Sequence, residues 1–198
     1  METANLSTVS EPSHKPGYDI SRLTGKLVKL WPYSRGLYPR DILYRVWAAM
    51  EQDNAAHLVF HGQQVPSDMI YTWRGDLTEF IKYFDQPTRL LVICECIEDK
   101  EIAGFIWFDD VVPGFRALAN IFFRRKYYGQ VSHEASILAK EYAFDGLGIK
   151  SLWAFTPWLW AAKHAESIGF EKIVVLPGLY IVDGQLRDAY VLKLNREE

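Results

Sequence analysis

The sequence predicts an α/β fold, a mixed sheet with helices on both faces, and three observations carry that reading. Two apolar runs, LLVICECI at 90–97 and IAGFIWF at 102–108, read as strands joined by a short charged turn at Asp99 and Lys100. The stretch 116–158 reads as strand, helix, strand. The chain then closes on a hairpin from Ile173 to Leu194, with Asp183-Gly184, a strong turn signal, at its tip. Helices fall between strands in only parts of the chain, which favours a mixed sheet over a fully parallel one.

Taken in order, residues 1–24 are polar, with Ser7, Ser10, Pro12, Ser13 and Pro16, and read as a flexible arm or tether. A single domain over 25–198 follows. KLVKLW alternates in strand fashion from Gly25, and Pro39 and Asp41 open a helix with Ile42, Leu43, Val46, Trp47 and Met50 on one stripe. The pattern over 52–75 is irregular. A second amphipathic segment carries Leu77, Phe80, Ile81 and Phe84 and stops at Pro87. After the two strands, RALANIFF (116–123) follows a turn at Pro113 and Gly114. A helix is expected from Ser132 to Asp145, with Ala135, Leu138, Ala139, Tyr142 and Ala143 inward. Ser132 is its expected N-cap, Glu134 faces the positive end of its dipole, and Gly146 or Gly148 is its left-handed stop. SLWAFTPW (151–158) is the next strand, and AAKHAESI (161–168) a short helix ended by Gly169.

Composition narrows the class. Of 198 residues 49% are apolar and 15% aromatic, enough to bury a core without disulfides or metals. A net charge of −3 lacks the concentrated basic field of a general nucleic-acid binder. Cys94 and Cys96 fall on one face of their strand and read as core thiols of a reducing compartment. His57 and His61 have no carboxylate or cysteine nearby to complete a metal set, so no metal is expected. No run reaches the ~20 apolar residues that span a bilayer. The first residues, Met1 to Asn5, lack the basic start and apolar run of a signal peptide, and a cytoplasmic location is expected.

Four stretches in sequence order resemble the GNAT acyltransferase superfamily, most closely its branch that acetylates protein N-termini and related amines. They are EIAGFIWF, NIFFRRKYYGQ (120–130), EYAFDGLGIKSLWAFT and ESIGF (166–170). The resemblance covers roughly 89–194 and implies a GNAT-like, splayed mixed sheet, with acetyl-CoA as cosubstrate and an amine as acceptor. It places the thioester beside Asn120, Ile121 and Phe122, and the coenzyme pyrophosphate along Arg124, Arg125, Lys126, Gly129, Gln130, Val131, Ser132 and His133. The chemistry fits: a helix N-terminus offers free N–H groups to phosphate, and glycine lets the backbone approach.

The match is incomplete. Val131 stands where the resemblance calls for Gly or Ala, so the pyrophosphate cradle is expected to be crowded. Trp158 and Ala165 stand where many members carry a coenzyme-contacting Asn and a Tyr acid. Trp153, Trp158 and Trp160 flank the point where the sheet is expected to splay, and core or plug packing is the expected role. Aminolysis of a thioester needs a base to take the ammonium proton, and Glu95, Asp109 and Asp110 are the candidates by strand position. Two readings stay open. One is an acyl-CoA-dependent N-acyltransferase for a primary amine of a protein or small molecule. The other is an inactive binding or assembly protein of the same fold, virus-encoded and virion-associated, that meets a protein partner through the N-terminal arm.

Overall fold

The computed structural model describes residue 15 and residues 17–33, 41–55, 76–86, 88–182 and 185–197. Strands β1 (Val28–Tyr33), β2 (Leu90–Cys96), β3 (Ile102–Val112), β4 (Arg116–Phe123), β5 (Ser151–Thr156), β6 (Glu171–Val182) and β7 (Gln185–Asn195) form one sheet in the order β1-β2-β3-β4-β5-β7-β6. Every neighbouring pair is antiparallel except β4–β5, which is parallel. Helices α1 (Asp41–Gln52) and α2 (Leu77–Phe84) precede β2, α3 (Gln130–Glu141) joins β4 to β5, and α4 (Leu159–Ser167) joins β5 to β6. The mixed sheet with a parallel β4–α3–β5 crossover is the architecture that the sequence predicts.

Period-two alternation divides the core in two. Leu90, Val92, Cys94 and Cys96 of β2 join Ala135, Ala139 and Tyr142 on one face of the sheet. Leu91 and Ile93 join Leu43, Val46, Met50, Phe80 and Phe84 of α1 and α2 on the other. Both cysteines are buried and unbonded on the same face. β3 lies between β2 and β4, and its first seven residues are all buried.

Local signals act with some changes. Asp76 caps α2, its carboxylate accepting the Glu79 N–H at 2.8 Å. α3 begins two residues earlier than predicted. Gly129, at φ 100°, holds the cap position, and Ser132 is the third helical residue rather than the cap. The Ser132 hydroxyl oxygen accepts the Gly129 N–H at 3.1 Å, closing the entry from inside. Glu134 is not spent on the helix dipole: its carboxylate accepts the N–H groups of Lys26 and Leu27 and pins the approach to β1. α3 ends in a wide turn over Tyr142–Gly146, and Gly148, at φ 73°, supplies the left-handed residue.

Lys15 and residues 17–24, read from sequence as the end of a flexible arm, are seated on the body. The Lys15 N–H donates to Gly146 C=O at 2.7 Å, Leu23 is buried, and Arg22 pairs with Asp145 at 3.1 Å. Residues 1–14, Pro39, Pro87, the His57–His61 pair and the Asp183-Gly184 turn lie outside the described residues; Val182 and Gln185 pair across that turn.

Candidate functional site

β4 and β5 pair through Arg116↔Ser151, Ala117↔Leu152 and Leu118↔Trp153, and no further. Beyond Leu118, β4 stays bonded to β3 on one side and has no strand partner on the other among the described residues. β5 continues to Thr156 bonded to β7. The sheet therefore splits, and a cavity of about 710 Å³ fills the split. Its walls are β4 from Leu118 to Phe123, the end of β5 from Ala154 to Thr156, and the facing sides of α3 and α4.

The three tryptophans do not plug it. Trp158 and Trp160 line the walls, and Trp160 is 57% exposed. Trp153 pairs across β7 with Lys193, whose ammonium lies 5.1 Å from its ring, and does not line the cavity. Trp158 also packs against the small core cluster of Tyr180, Val182 and Ala189.

At the β3 end of the cavity sits a polar cluster centred on Asp109. Its Oδ2 accepts from Tyr83 Oη at 2.7 Å, Trp107 Nε1 at 3.1 Å and Asn120 Nδ2 at 3.1 Å, while Oδ1 accepts only the Arg89 Nε–H, at 2.8 Å. The Arg89 guanidinium lies 3.6 Å from the Tyr83 ring centroid and donates a second bond from Nη1 to Tyr83 C=O at 3.1 Å. Burial raises the Asp109 pKa above the usual carboxylate value, against the lowering pull of Tyr83, Arg89 and Trp107. Burial also raises the Tyr83 phenol. Asp109 thus keeps one open acceptor site, on Oδ1, in a cavity wall.

The other candidate bases divide. Asp110 lines the cavity, exposed and at φ 48°, where the β3–β4 register shifts between Asp109 and Val112. Glu95 does not line it: it pairs with Ile102, at the opposite end of β3. Strand membership placed all three on the sheet, but only position along the strand separates them.

Asn120, Ile121 and Phe122 line the cavity. The basic run does not. Arg124 bonds Glu101 at 2.8 Å and pairs with Asp53 at 3.8 Å, and Lys126 bonds Glu101 at 2.8 Å and Asp99 at 3.2 Å. The Arg125 N–H donates to Asp53 at 2.6 Å. Tyr127 Oη donates to Asp99 at 2.7 Å, the leading reason the Asp99 carboxyl is held well below the usual range. The run answers the acidic β2–β3 turn, whose charges are its nearest counterions.

Gly129 and Ser132 line the cavity, whereas Gln130, Val131 and His133 do not. Val131 packs against the α3-side core, so its side chain does not crowd the helix entry. Nothing lies within 4 Å of where a Gly129 Cβ would stand, and the first-turn N–H groups at 130–132 have no preceding helical carbonyl to bond. An anion thus has fixed backbone donors and open space there.

Sequence reasoning missed Tyr83, Arg89, Ser136 and His164, which also line the cavity. Ser136 Oγ lies 2.8 Å from Ser132 C=O, to which it donates, and 2.9 Å from His164 Nε2. Burial first, and His133 second, lower the His164 pKa. No motif marks these residues; Arg89 and Tyr83 are brought together with Asp109 only by tertiary packing. Among the described residues no cluster of three His, Cys, Asp or Glu could hold a metal, and no helix is long and apolar enough to cross a membrane.

Searches place the fold. No protein-family model and no curated protein matches the chain. Solved structures do. A "probable" GNAT-family acetyltransferase of Chromobacterium violaceum superposes with a TM-score of 0.65 at 17% identity, covering 98% of this chain and 94% of that one. The ribosomal-protein-S5-alanine acetyltransferase of Vibrio fischeri gives 0.65 at 12% identity over 88% and 96%. A dodecameric spermidine N-acetyltransferase of Vibrio cholerae gives 0.64 at 12% over 86% and 95%.

Proposed function

The chain has the GNAT acetyltransferase fold, and from that premise we propose that it is an acyl-CoA-dependent N-acyltransferase acting on a primary amine. The observation that carries this reading is the open split beyond Leu118, where β4 presents unpaired backbone to a cavity large enough for an extended thioester. Acyl-CoA supplies the activated acyl group. The free backbone edge at Asn120–Phe122 orients the thioester carbonyl, and the first turn of α3 from Gly129 to Ser132 holds the pyrophosphate. Arg124 and Lys126 are committed to Asp99 and Glu101 and leave that task to the backbone.

The acceptor enters at the Asp109 end. Asp109 Oδ1 takes a proton from the ammonium; the freed amine attacks the carbonyl, a C–N bond forms, the C–S bond breaks, and the proton shed by the new amide nitrogen goes to the departing CoA sulfur, which leaves as the thiol. Desolvation that raises the Asp109 pKa makes it a stronger base than an exposed aspartate. Trp107, Phe122 and Phe155 add apolar wall beside that polar cluster and limit hydrolysis by excluding water.

Thiol release from acetyl-CoA, followed with amine acceptors and in their absence, tests the reading. Amine-dependent release with a new amide product supports it. CoA binding with no release against any amine would turn the argument to an inactive binding protein, the reading that Ala165 favours because alanine cannot protonate a thiolate.

A further inference from the structure

The cavity's acceptor end presents two opposite charges side by side on one rigid support. Asp109 Oδ1 and Arg89 Nε lie 2.8 Å apart, and both residues line the cavity. Neither can swing away. Asp109 is gripped at Oδ2 by Tyr83, Trp107 and Asn120, and Arg89 is stacked on the Tyr83 ring and bonded to Tyr83 C=O. The Arg89 side chain is 22% exposed. Nε–H and one Nη1–H are used; the remaining guanidinium N–H groups have no partner among the described residues. A guanidinium held this way is a pre-organised receptor for a carboxylate, because little side-chain entropy is left to lose.

We infer that the acceptor is a zwitterion of the α-amino-acid type, its ammonium on Asp109 Oδ1 and its carboxylate on the free Nη edge of Arg89. An α-ammonium nitrogen and an α-carboxylate carbon are each one bond from a common carbon, a close pairing of opposite charges that mirrors the Asp109–Arg89 pair with the signs reversed. The match is one of charge and of distance. A polyamine is poorly served here: once one ammonium sits on Asp109, the exposed Asp110 is the one acid left among the described cavity-lining residues for a second, while Arg89 and Lys140 add positive charge to the walls. A peptide N-terminus offers the ammonium but an amide in place of the carboxylate, which leaves Arg89 without its charged partner. This inference rests on the proposed acyl transfer and names its acceptor class.

The experiment compares free acids with their own carboxamides. Glycine, L-alanine, L-leucine and L-phenylalanine, each beside its amide, and spermidine are titrated into the full chain with CoA present, and the same panel is run for thiol release from acetyl-CoA. The free acids should bind, and show KM values, roughly 10-fold or more below the amides, the worth of one charge-assisted bond. In Arg89→Gln that ratio should collapse to about 2-fold, and in Arg89→Lys, which keeps the charge without the fork, it should fall in between. Amides or spermidine equal to the acids in the wild-type protein would overturn the inference, as would a preference that survives Arg89→Gln, or no binding by any member of the panel. Thiol release without acid preference removes the acceptor class and leaves the acyltransferase standing. Acid-selective binding without release upholds the acceptor site and removes the transfer reaction.

Discussion

Two ionic clusters sit at opposite ends of β3, each with an aspartate, an arginine and a tyrosine, and of the two the one at Asp109 faces the cavity. At the start of the strand, the exposed Asp99 and Glu101 hold Lys126, Arg124 and the Tyr127 hydroxyl away from the cavity. At its end, Asp109 holds Arg89, Tyr83, Trp107 and Asn120 inside the split sheet. Their carboxyls move in opposite directions. Asp99 is held well below the usual pKa, chiefly by Tyr127, because solvent still shares its charge. Asp109 is raised because burial outweighs four donors. Similar contacts give opposite electrostatics once desolvation differs, and a raised, rigid carboxylate in a cavity is the one suited to proton transfer.

The sharpest way to break this comparison is to neutralise each carboxylate in turn. Asp109→Asn keeps the volume, removes the base, and should lower turnover by roughly 10²–10⁴-fold. Asp99→Asn should leave turnover within about 2-fold, since that cluster does not touch the cavity. The pH profile follows the same division. Asp109 must be ionised to act, so the acid limb of kcat/KM should lie above the ordinary carboxylate range. For stability the signs are opposite. Asp109 binds its proton more tightly folded than unfolded, so its contribution is full below the unfolded pKa and is lost as pH rises through the folded value. Asp99 contributes above its unfolded pKa and loses that contribution as pH falls toward the depressed folded one. Equal turnover losses at the two positions would dissolve the distinction.

β3 itself links the clusters, and Gly104 fixes its fit to β4. A Cβ at Gly104 would strike Phe122 C=O and approach the Phe123 ring at 2.7 Å, and both neighbours are held in the sheet. Gly104→Ala should therefore cost about 3 kcal/mol, the upper part of the range for overpacking. A denaturation midpoint that falls at constant slope would show it. A variant as stable as the parent would mean that β4 can shift, and that the unpaired β4 edge proposed to orient the thioester is less fixed than the register implies.

How much of this was legible beforehand follows the range of the forces involved. Strand periodicity, the β4–α3–β5 crossover and the split beyond it were readable, because alternation and chain order are local or topological. Asp109 was readable as a candidate at a strand end, but so was Glu95, which register puts at the far end of β3. The basic run was readable as charge and misleading as function, since sequence does not show that Asp99 and Glu101 reach it first. Arg89 and Tyr83 carried no motif: they acquire meaning only where α2, the start of β2 and the end of β3 converge.

The smallest effect expected belongs to the solvated cluster. Lys126→Ala deletes an ammonium that bonds Glu101 and Asp99 and lies 4.6 Å from the Tyr127 ring. Its partners are exposed, so water replaces most of what the ammonium supplied, and the stability loss should be small and shrink further in high salt. Coenzyme binding gives the more telling readout. If the α3 N-terminus alone holds the pyrophosphate, CoA affinity should change by no more than about 2-fold, because Lys126 is turned away from the cavity and its charge is already balanced. Calorimetry at low and moderate salt separates the cases. A large, salt-sensitive loss of affinity would mean that Lys126 leaves Glu101 for the coenzyme when it binds, and that the two clusters are coupled through the ligand rather than divided by the strand between them.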